Sequence, residues 1–166
     1  AAAIAFRIRN PQSAARLDAF APPARCGMRR NPMPGFQASI HRAYRAHPAL
    51  AFERLATGTE LVHWQVRGLC RAVAESKRDA ADRLVSLLGL HPLAGLELAR
   101  REGPAAGDAL AAALEEAKSR QAKLLLLESL TVSRTRAKRA RRAARRLLRD
   151  PADEDVHKAA IRALGA

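Results

Sequence analysis

Apolar side chains recur every three or four residues from Phe36 onward, which is the spacing of one face of an α-helix. The series Val62, Val66, Leu69 and Val73 is one such predicted buried stripe. Prolines at first turns and glycines after last turns divide the pattern into helices with short connections. These signals predict helices over about 36–46, 48–58, 59–76, 79–88, 91–102, 104–130, 133–149 and 151–164. We therefore expect a single all-α domain over residues 36–166, as an irregular helical bundle or a short array of helical hairpins.

Residues 1–35 have a different composition, because they contain five of the nine prolines of the chain. Proline lacks an N–H donor and disfavours helix in the preceding residue, so this segment is predicted to be an extended basic arm. Residues 1–52 hold eight arginines and one acid, Asp18, which is the composition of an organelle-import leader or its remnant. A basic extension that lies on nucleic acid is the alternative, and the two interpretations are compatible. We expect a mitochondrial (organellar matrix) protein that is imported with removal of a leader.

The last two predicted helices carry a helix–turn–helix pattern, LLRDPADEDVHKAAIRALG, over Leu147–Gly165. The residues that carry this pattern are Leu147, Leu148, Asp150, Pro151, Val156, Ala159, Ala160, Ile161, Ala163, Leu164 and Gly165. This stretch resembles a HEAT-like repeat, in which an Asp-Pro turn joins two antiparallel helices and the second helix buries its Val and Ala-Ala positions. Similar stretches that begin at His47 and His91 are 44 residues apart, within the range of two-helix repeats. The resemblance implies a binding scaffold without catalytic residues.

The formal charge of +14, from 30 basic and 16 acidic residues, is segregated along the chain. Residues 1–52 carry +7 and residues 117–149 carry +11, whereas residues 53–116 and 150–166 carry −2 each. A GC-rich genome would raise alanine and arginine together, but it does not explain two basic blocks around a nearly neutral centre. The distribution indicates a folded core with two polyanion contacts.

The second basic block is centred on the predicted arginine-rich helix 133–149, in which nine of 17 residues are basic and none is acidic. Its predicted buried stripe is Ala137, Ala140, Ala144 and Leu147, at spacings of three and four. Like charges one turn apart repel by a few tenths of a kcal/mol per pair, roughly, and a polyanion would remove this cost. An acidic protein and an anionic membrane surface are the alternative partners, and the absence of Trp or Phe anchors argues against the membrane.

Arginine binds phosphate oxygens through its planar fork, and the predicted helix has no Asn or Gln to read DNA bases. Structured RNA, recognised through its backbone and shape, is therefore the expected partner, together with neighbouring protein subunits. The candidate RNA-binding residues are Arg7, Arg9, Arg29, Arg30, Arg134, Arg136, Lys138, Arg139, Arg141, Arg142, Arg145, Arg146 and Arg149. We expect a structural subunit of a ribonucleoprotein, specifically a mitochondrial ribosomal protein that contacts rRNA phosphates. A non-catalytic scaffold subunit of a respiratory or ATP synthase type complex is the alternative, and a DNA-associated protein is a third.

Motifs for catalysis, metal binding and cofactor binding are absent from the sequence. There is no HExxH, no CxxC and no glycine-rich phosphate loop, and the two cysteines, Cys26 and Cys70, do not form a disulfide framework. Glu115 and Glu116 are adjacent, so their side chains point about 100° apart and cannot form a carboxylate pair on one helix face. No segment approaches 18 consecutive apolar residues, so the sequence predicts no transmembrane helix. We expect no enzyme activity, no metal, no cofactor and no small-molecule substrate.

Overall fold

The computed structural model describes residues 34–58, 60–76, 79–149 and 153–165, all within the unit Met33–Ala166. These residues form α-helices packed as a bundle, with no strand among them, so the predicted all-α class is confirmed. The helices are α1 (Pro34–Tyr44), α2 (Pro48–Thr57), α3 (His63–Ala74), α4 (Ala80–Leu87), α5 (Ala94–Glu102), α6 (Gly107–Glu116), α7 (Arg120–Ser133), α8 (Lys138–Leu147) and α9 (Glu154–Gly165). A short 3₁₀ turn, Gly103–Ala106, joins α5 to α6. The predicted arm, residues 1–35, lies almost entirely outside the described residues.

The bundle is organised as successive pairs of helices. Each even-numbered helix packs against the odd-numbered helix that follows it, as α2 on α3, α4 on α5, α6 on α7 and α8 on α9. The odd-numbered helices also pack against one another in series, from α1 through α3, α5 and α7 to α9. In the even-numbered series, α2 contacts α4 and α6 contacts α8. The last pair, α8 and α9, therefore rests on the pair α6 and α7.

The 44-residue offset does not correspond to this pairing. The stretch after His47 becomes α2, an even-numbered helix, whereas the stretch after His91 becomes α5, an odd-numbered one. A two-helix repeat would place equivalent stretches in the same series. The two similar stretches therefore occupy non-equivalent places in the bundle, and relationship to the HEAT-like family stays a prediction.

One long helix of the prediction, over residues 104–130, is wrong: the chain forms two helices there. Ala117 has an extended backbone (φ −64°, ψ 118°), which ends α6. Ser119 then caps α7, since its hydroxyl accepts a hydrogen bond of 3.1 Å from the backbone N–H of Ala122. This break lets α7 turn back and pack against α6, where a continuous helix would project away from the bundle.

The core is built mainly from leucine and alanine. Leu55, Leu84, Leu110 and Leu127 are at most 1% exposed, and they lie on four different helices. The small alanine side chains between them allow helices to approach closely, as at Ala72, Ala94, Ala111 and Ala160.

The predicted stripe of α3 is confirmed at three of its four positions, because Val66, Leu69 and Val73 are buried. Val62 is 49% exposed. It precedes the first helical residue in extended backbone, where its N–H donates to the Gln65 side chain at 3.0 Å. Because Val62 lies outside the helix, the helical spacing that predicted its burial with the stripe does not apply to it.

Candidate functional site

The arginine-rich segment does not form the single helix predicted over residues 133–149. Ser133 ends α7, Arg134 adopts a left-handed backbone (φ 51°), and α8 begins at Lys138. Thr135 is buried in the intervening turn, where its hydroxyl donates to the Pro104 carbonyl at 3.1 Å. The same oxygen accepts a hydrogen bond of 3.3 Å from the N–H of Ala137. A buried threonine that bonds to a distant carbonyl therefore breaks the helix, and α8 is only about 15 Å long.

Glycine at position 107 makes room for this turn. A Cβ atom on Gly107 would lie 2.1 Å from the Thr135 hydroxyl oxygen and 2.8 Å from its Cβ, closer than real contacts allow. Gly107 is the first residue of α6. The start of α6 and the turn before α8 are thus packed directly together.

The buried face of α8 consists of alanine. Ala140, Ala143 and Ala144 are at most 3% exposed, and α8 packs against both α6 and α9. The predicted stripe is confirmed at Ala140 and Ala144, while Ala137 and Leu147 are only partly buried. Ala143 was not predicted to be buried, because a single stripe allows for one neighbouring helix and α8 has two.

The opposite face of α8 is cationic. Lys138, Arg141, Arg142, Arg145 and Arg149 are exposed, and together they form what we call the outer face. With 100° per residue, Lys138, Arg141, Arg142 and Arg145 lie on the side of the helix away from Ala140 and Ala144, and Arg149 follows in the turn after α8. None of the five forms an ion pair within the part of the chain that the structure describes. Their side chains, with that of Arg146, line a shallow open depression.

Two arginines of α8 behave differently, because they face α6. The guanidinium of Arg139 donates to Glu115 from Nη2 at 2.8 Å and from Nε at 3.2 Å. Arg146, two turns further along, has its Nη1 3.6 Å from the other oxygen of Glu115. The hydrogen bond from Arg139 is the main cause that lowers the pKa of Glu115, and charge attraction to the arginines adds to it. We call Arg139 and Arg146 the inner edge of α8.

Arg134 and Arg136 lie in the turn before α8, and both are exposed. They therefore lie near the N-terminus of α8, outside the helix that was predicted to include them. The helix macrodipole places partial positive charge at this end. The two arginines thus extend the positive potential beyond Lys138. Four other candidates, Arg7, Arg9, Arg29 and Arg30, lie outside the described residues.

The described residues hold no group of three His, Cys, Asp or Glu side chains placed to bind a metal ion. Cys70 is fully buried, and burial raises the pKa of its thiol to about 12, with a further contribution from the charge of Glu97. In the same described part of the chain, the helices are all too short or too polar to cross a bilayer.

Sequence reasoning missed Glu115 as a partner of the arginine helix. It treated this residue only as half of a possible carboxylate pair with Glu116. Glu115 precedes Arg139 by 24 residues, and the two meet because α6 packs on α8. The only signal available in the sequence was the opposite sign of the charges, which does not identify a pair.

Comparison with known proteins adds no relative: no family model, no curated protein and no solved structure matches this chain.

Proposed function

We propose that this chain is a structural RNA-binding subunit of a ribonucleoprotein, and specifically a mitochondrial ribosomal protein that contacts rRNA phosphates. The observation that supports this proposal is the outer face of α8, whose five exposed cations form no ion pair in the described residues. Within α8 the face runs from Lys138 to Arg145, roughly 10 Å at about 1.5 Å per residue, and Arg149 continues it beyond the end of the helix. A surface of this length and charge suits several phosphates of one nucleic acid.

The residue types on α8 favour contact with the sugar–phosphate backbone over contact with bases. Arginine offers a planar pair of donors that fits two phosphate oxygens. Asn and Gln, which read adenine edges, are absent from α8, and the chain has no Phe, Tyr or Trp after Trp64 to stack on an unpaired base. These features support recognition of a folded RNA by charge and shape, largely without sequence preference.

The packing of α8 argues against a membrane surface as its partner. An interfacial helix inserts its apolar face into the lipid. On α8 that face is alanine, and it is already buried against α6 and α9. Only the cationic side remains available.

The organellar part of the proposal rests on composition. Residues 1–52, with eight arginines and one acid, have the bias of an import leader or its remnant. A chain that combines such a segment with an exposed cationic helix fits a subunit embedded in an organellar ribosome.

A scaffold subunit of a large non-RNA complex is the second candidate, and two observations favour it. The helices pack as successive pairs, a construction suited to extended binding surfaces. A groove of about 740 Å³ also opens between the end of α4 and helices α6 and α7, with Val85, Leu90 and Ala112 among its lining residues. Leu90 is 64% exposed there.

Two experiments separate these candidates. The purified chain is titrated against a 20-base-pair RNA duplex of mixed sequence by filter binding from 50 to 200 mM salt, with a DNA duplex of the same sequence beside it. Affinity for RNA that falls steeply with salt supports the proposal, whereas no binding at 50 mM salt contradicts it. Preference for the DNA duplex would favour the DNA-associated alternative. Tagged protein is then recovered from mitochondria with and without ribonuclease, and partners that persist after ribonuclease favour the scaffold.

A further inference from the structure

The inner edge of α8 is bound to one acid of α6. Glu115 contacts both Arg139 and Arg146, and its side chain is 27% exposed. The pKa of Arg139 is raised mainly by its hydrogen bond to Glu115, and the charges of Asp108 and Glu116 raise it further. Glu115 is therefore the acid to which the inner edge is bound, whereas the outer face forms no ion pair with it, and of the outer-face residues only Arg142 acts on it, through charge.

A carboxylate and a phosphate make the same demand on arginine, since both accept paired hydrogen bonds from the guanidinium fork. An arginine already bound to a carboxylate must give up that partner before it can bind a phosphate fully. A phosphate that approaches from the α6 side also meets the negative charge of the carboxylate itself. The inner edge is thus a poor site for a polyanion, although both of its cations are arginines.

We infer that Glu115 acts as a built-in competitor of phosphate, which keeps Arg139 and Arg146 off the RNA and confines RNA contact to the outer face of α8. This inference rests on the proposed function. It assigns Glu115 as a specificity-determining residue of the interface: it limits the number of phosphates bound and fixes the side from which RNA approaches. Arg146 lies at the boundary between the outer face and the inner edge, because its side chain lines the open depression of the outer face while its Nη1 lies 3.6 Å from a carboxylate oxygen of Glu115.

Replacement of Glu115 tests this assignment. Glu115→Gln keeps the size of the side chain but removes its charge, so two guanidiniums become available to phosphate. Each phosphate contributes about 0.7 to 0.9 to the slope of log K against log salt, so two additional contacts should steepen this slope by about 1.4 to 1.8. Between 50 and 200 mM salt this means an additional loss of affinity of about 7- to 12-fold, from a higher starting affinity at 50 mM.

Two further variants serve as controls for this experiment. Glu128→Gln removes the same charge from an exposed position on α7 that forms no ion pair in the described part of the chain, so it should leave the slope unchanged. The triple variant Glu115→Gln, Arg139→Gln, Arg146→Gln removes the newly available cations and should return the slope to that of the wild type. The probe is the 20-base-pair RNA duplex in every case, and circular dichroism verifies that each variant is folded.

The outcomes distinguish the inference from the proposed function. If the wild-type protein does not bind the duplex, the proposed function fails. If the wild type binds but Glu115→Gln shows an unchanged or shallower slope while remaining folded, the inference alone is overturned. If Glu128→Gln steepens the slope as much as Glu115→Gln does, the effect belongs to net charge, and Glu115 has no specific role.

Discussion

Neutralisation of the outer face of α8 is the most direct perturbation of the proposed interface. The variant replaces four exposed arginines with glutamine: Arg141, Arg142, Arg145 and Arg149. None of them forms an ion pair within the described residues, and the alanine face of α8 is untouched. Glutamine is nearly as good a helix former as arginine, so the fold should survive.

The magnitude follows from the number of phosphates that lose their partner. Five contacts by the outer face would give a slope of log K against log salt between about −3.5 and −4.5, which is a loss of about 100- to 500-fold from 50 to 200 mM salt. With only Lys138 left, the slope should become shallower by about 2.8 to 3.6. The loss of affinity from 50 to 200 mM salt that is attributable to the outer face then falls to about threefold. Contacts by other basic residues add equally to both proteins and cancel in the difference.

A control variant removes the same charge far from α8. Arg67 and Arg71, on α3, Arg83, on α4, and Arg100, on α5, are replaced with glutamine together; none of these three helices is among those that pack closely on α8. Filter binding of both variants to the RNA duplex, at four salt concentrations, measures the two slopes. If the control loses as much slope as the outer-face variant does, binding depends on net charge alone and the assignment to α8 is refuted.

The remaining predictions concern the packing of the bundle. Gly107→Ala forces a Cβ against Thr135, so it should lower the free energy of unfolding by about 1–3 kcal/mol in urea denaturation. Gly89→Ala, with open space around the added Cβ, should change the free energy of unfolding little, and an equal loss in the two glycine variants would refute the proposed packing of the turn. Leu127→Ala, at a fully buried position, should cost about 2–5 kcal/mol, and a loss below about 1 kcal/mol would contradict its place in the core. The raised pKa of Cys70, about 12 against an ordinary 9.0, means that the folded thiol keeps its proton while the unfolded thiol loses it. Stability should therefore fall as the pH rises above 9, by about 1.4 kcal/mol at pH 10 through this group. Cys70→Ala should lack this component when the free energies of unfolding at pH 8 and pH 10 are compared, and an equal fall in both proteins would refute it.

Local signals predicted helices well where both ends are marked in the sequence. Proline at position 48 and glycine at position 58 delimit α2, which the structure places over Pro48–Thr57. The buried positions Val66, Leu69 and Val73 of α3 also followed from spacing alone. In these places the helix is specified by residues within one or two turns, so the sequence contains the whole signal.

The two missed breaks within predicted helices have different causes. The break before Arg120 had a local signal, the capping serine Ser119, but the apolar spacing on either side of it resembles one continuous helix. The break at residues 134–137 depends on Thr135, whose hydroxyl bonds to the carbonyl of Pro104, 31 residues earlier. No local pattern distinguishes this threonine from one on a helix surface. Its role exists only once the chain has folded back on itself.

The sequence by itself determined the all-α class and the segregation of positive charge into two blocks, because helix propensity and charge are properties of each residue and its close neighbours. Only the tertiary structure decided which cations of the second block are available. Arg139 and Arg142 are indistinguishable in the sequence, and both are exposed, yet Arg139 forms an ion pair with Glu115 and Arg142 forms none in the described residues. The difference arises because α8 is packed by its alanines between α6 and α9, which turns one edge of the helix toward an acid and leaves the opposite face to the solvent.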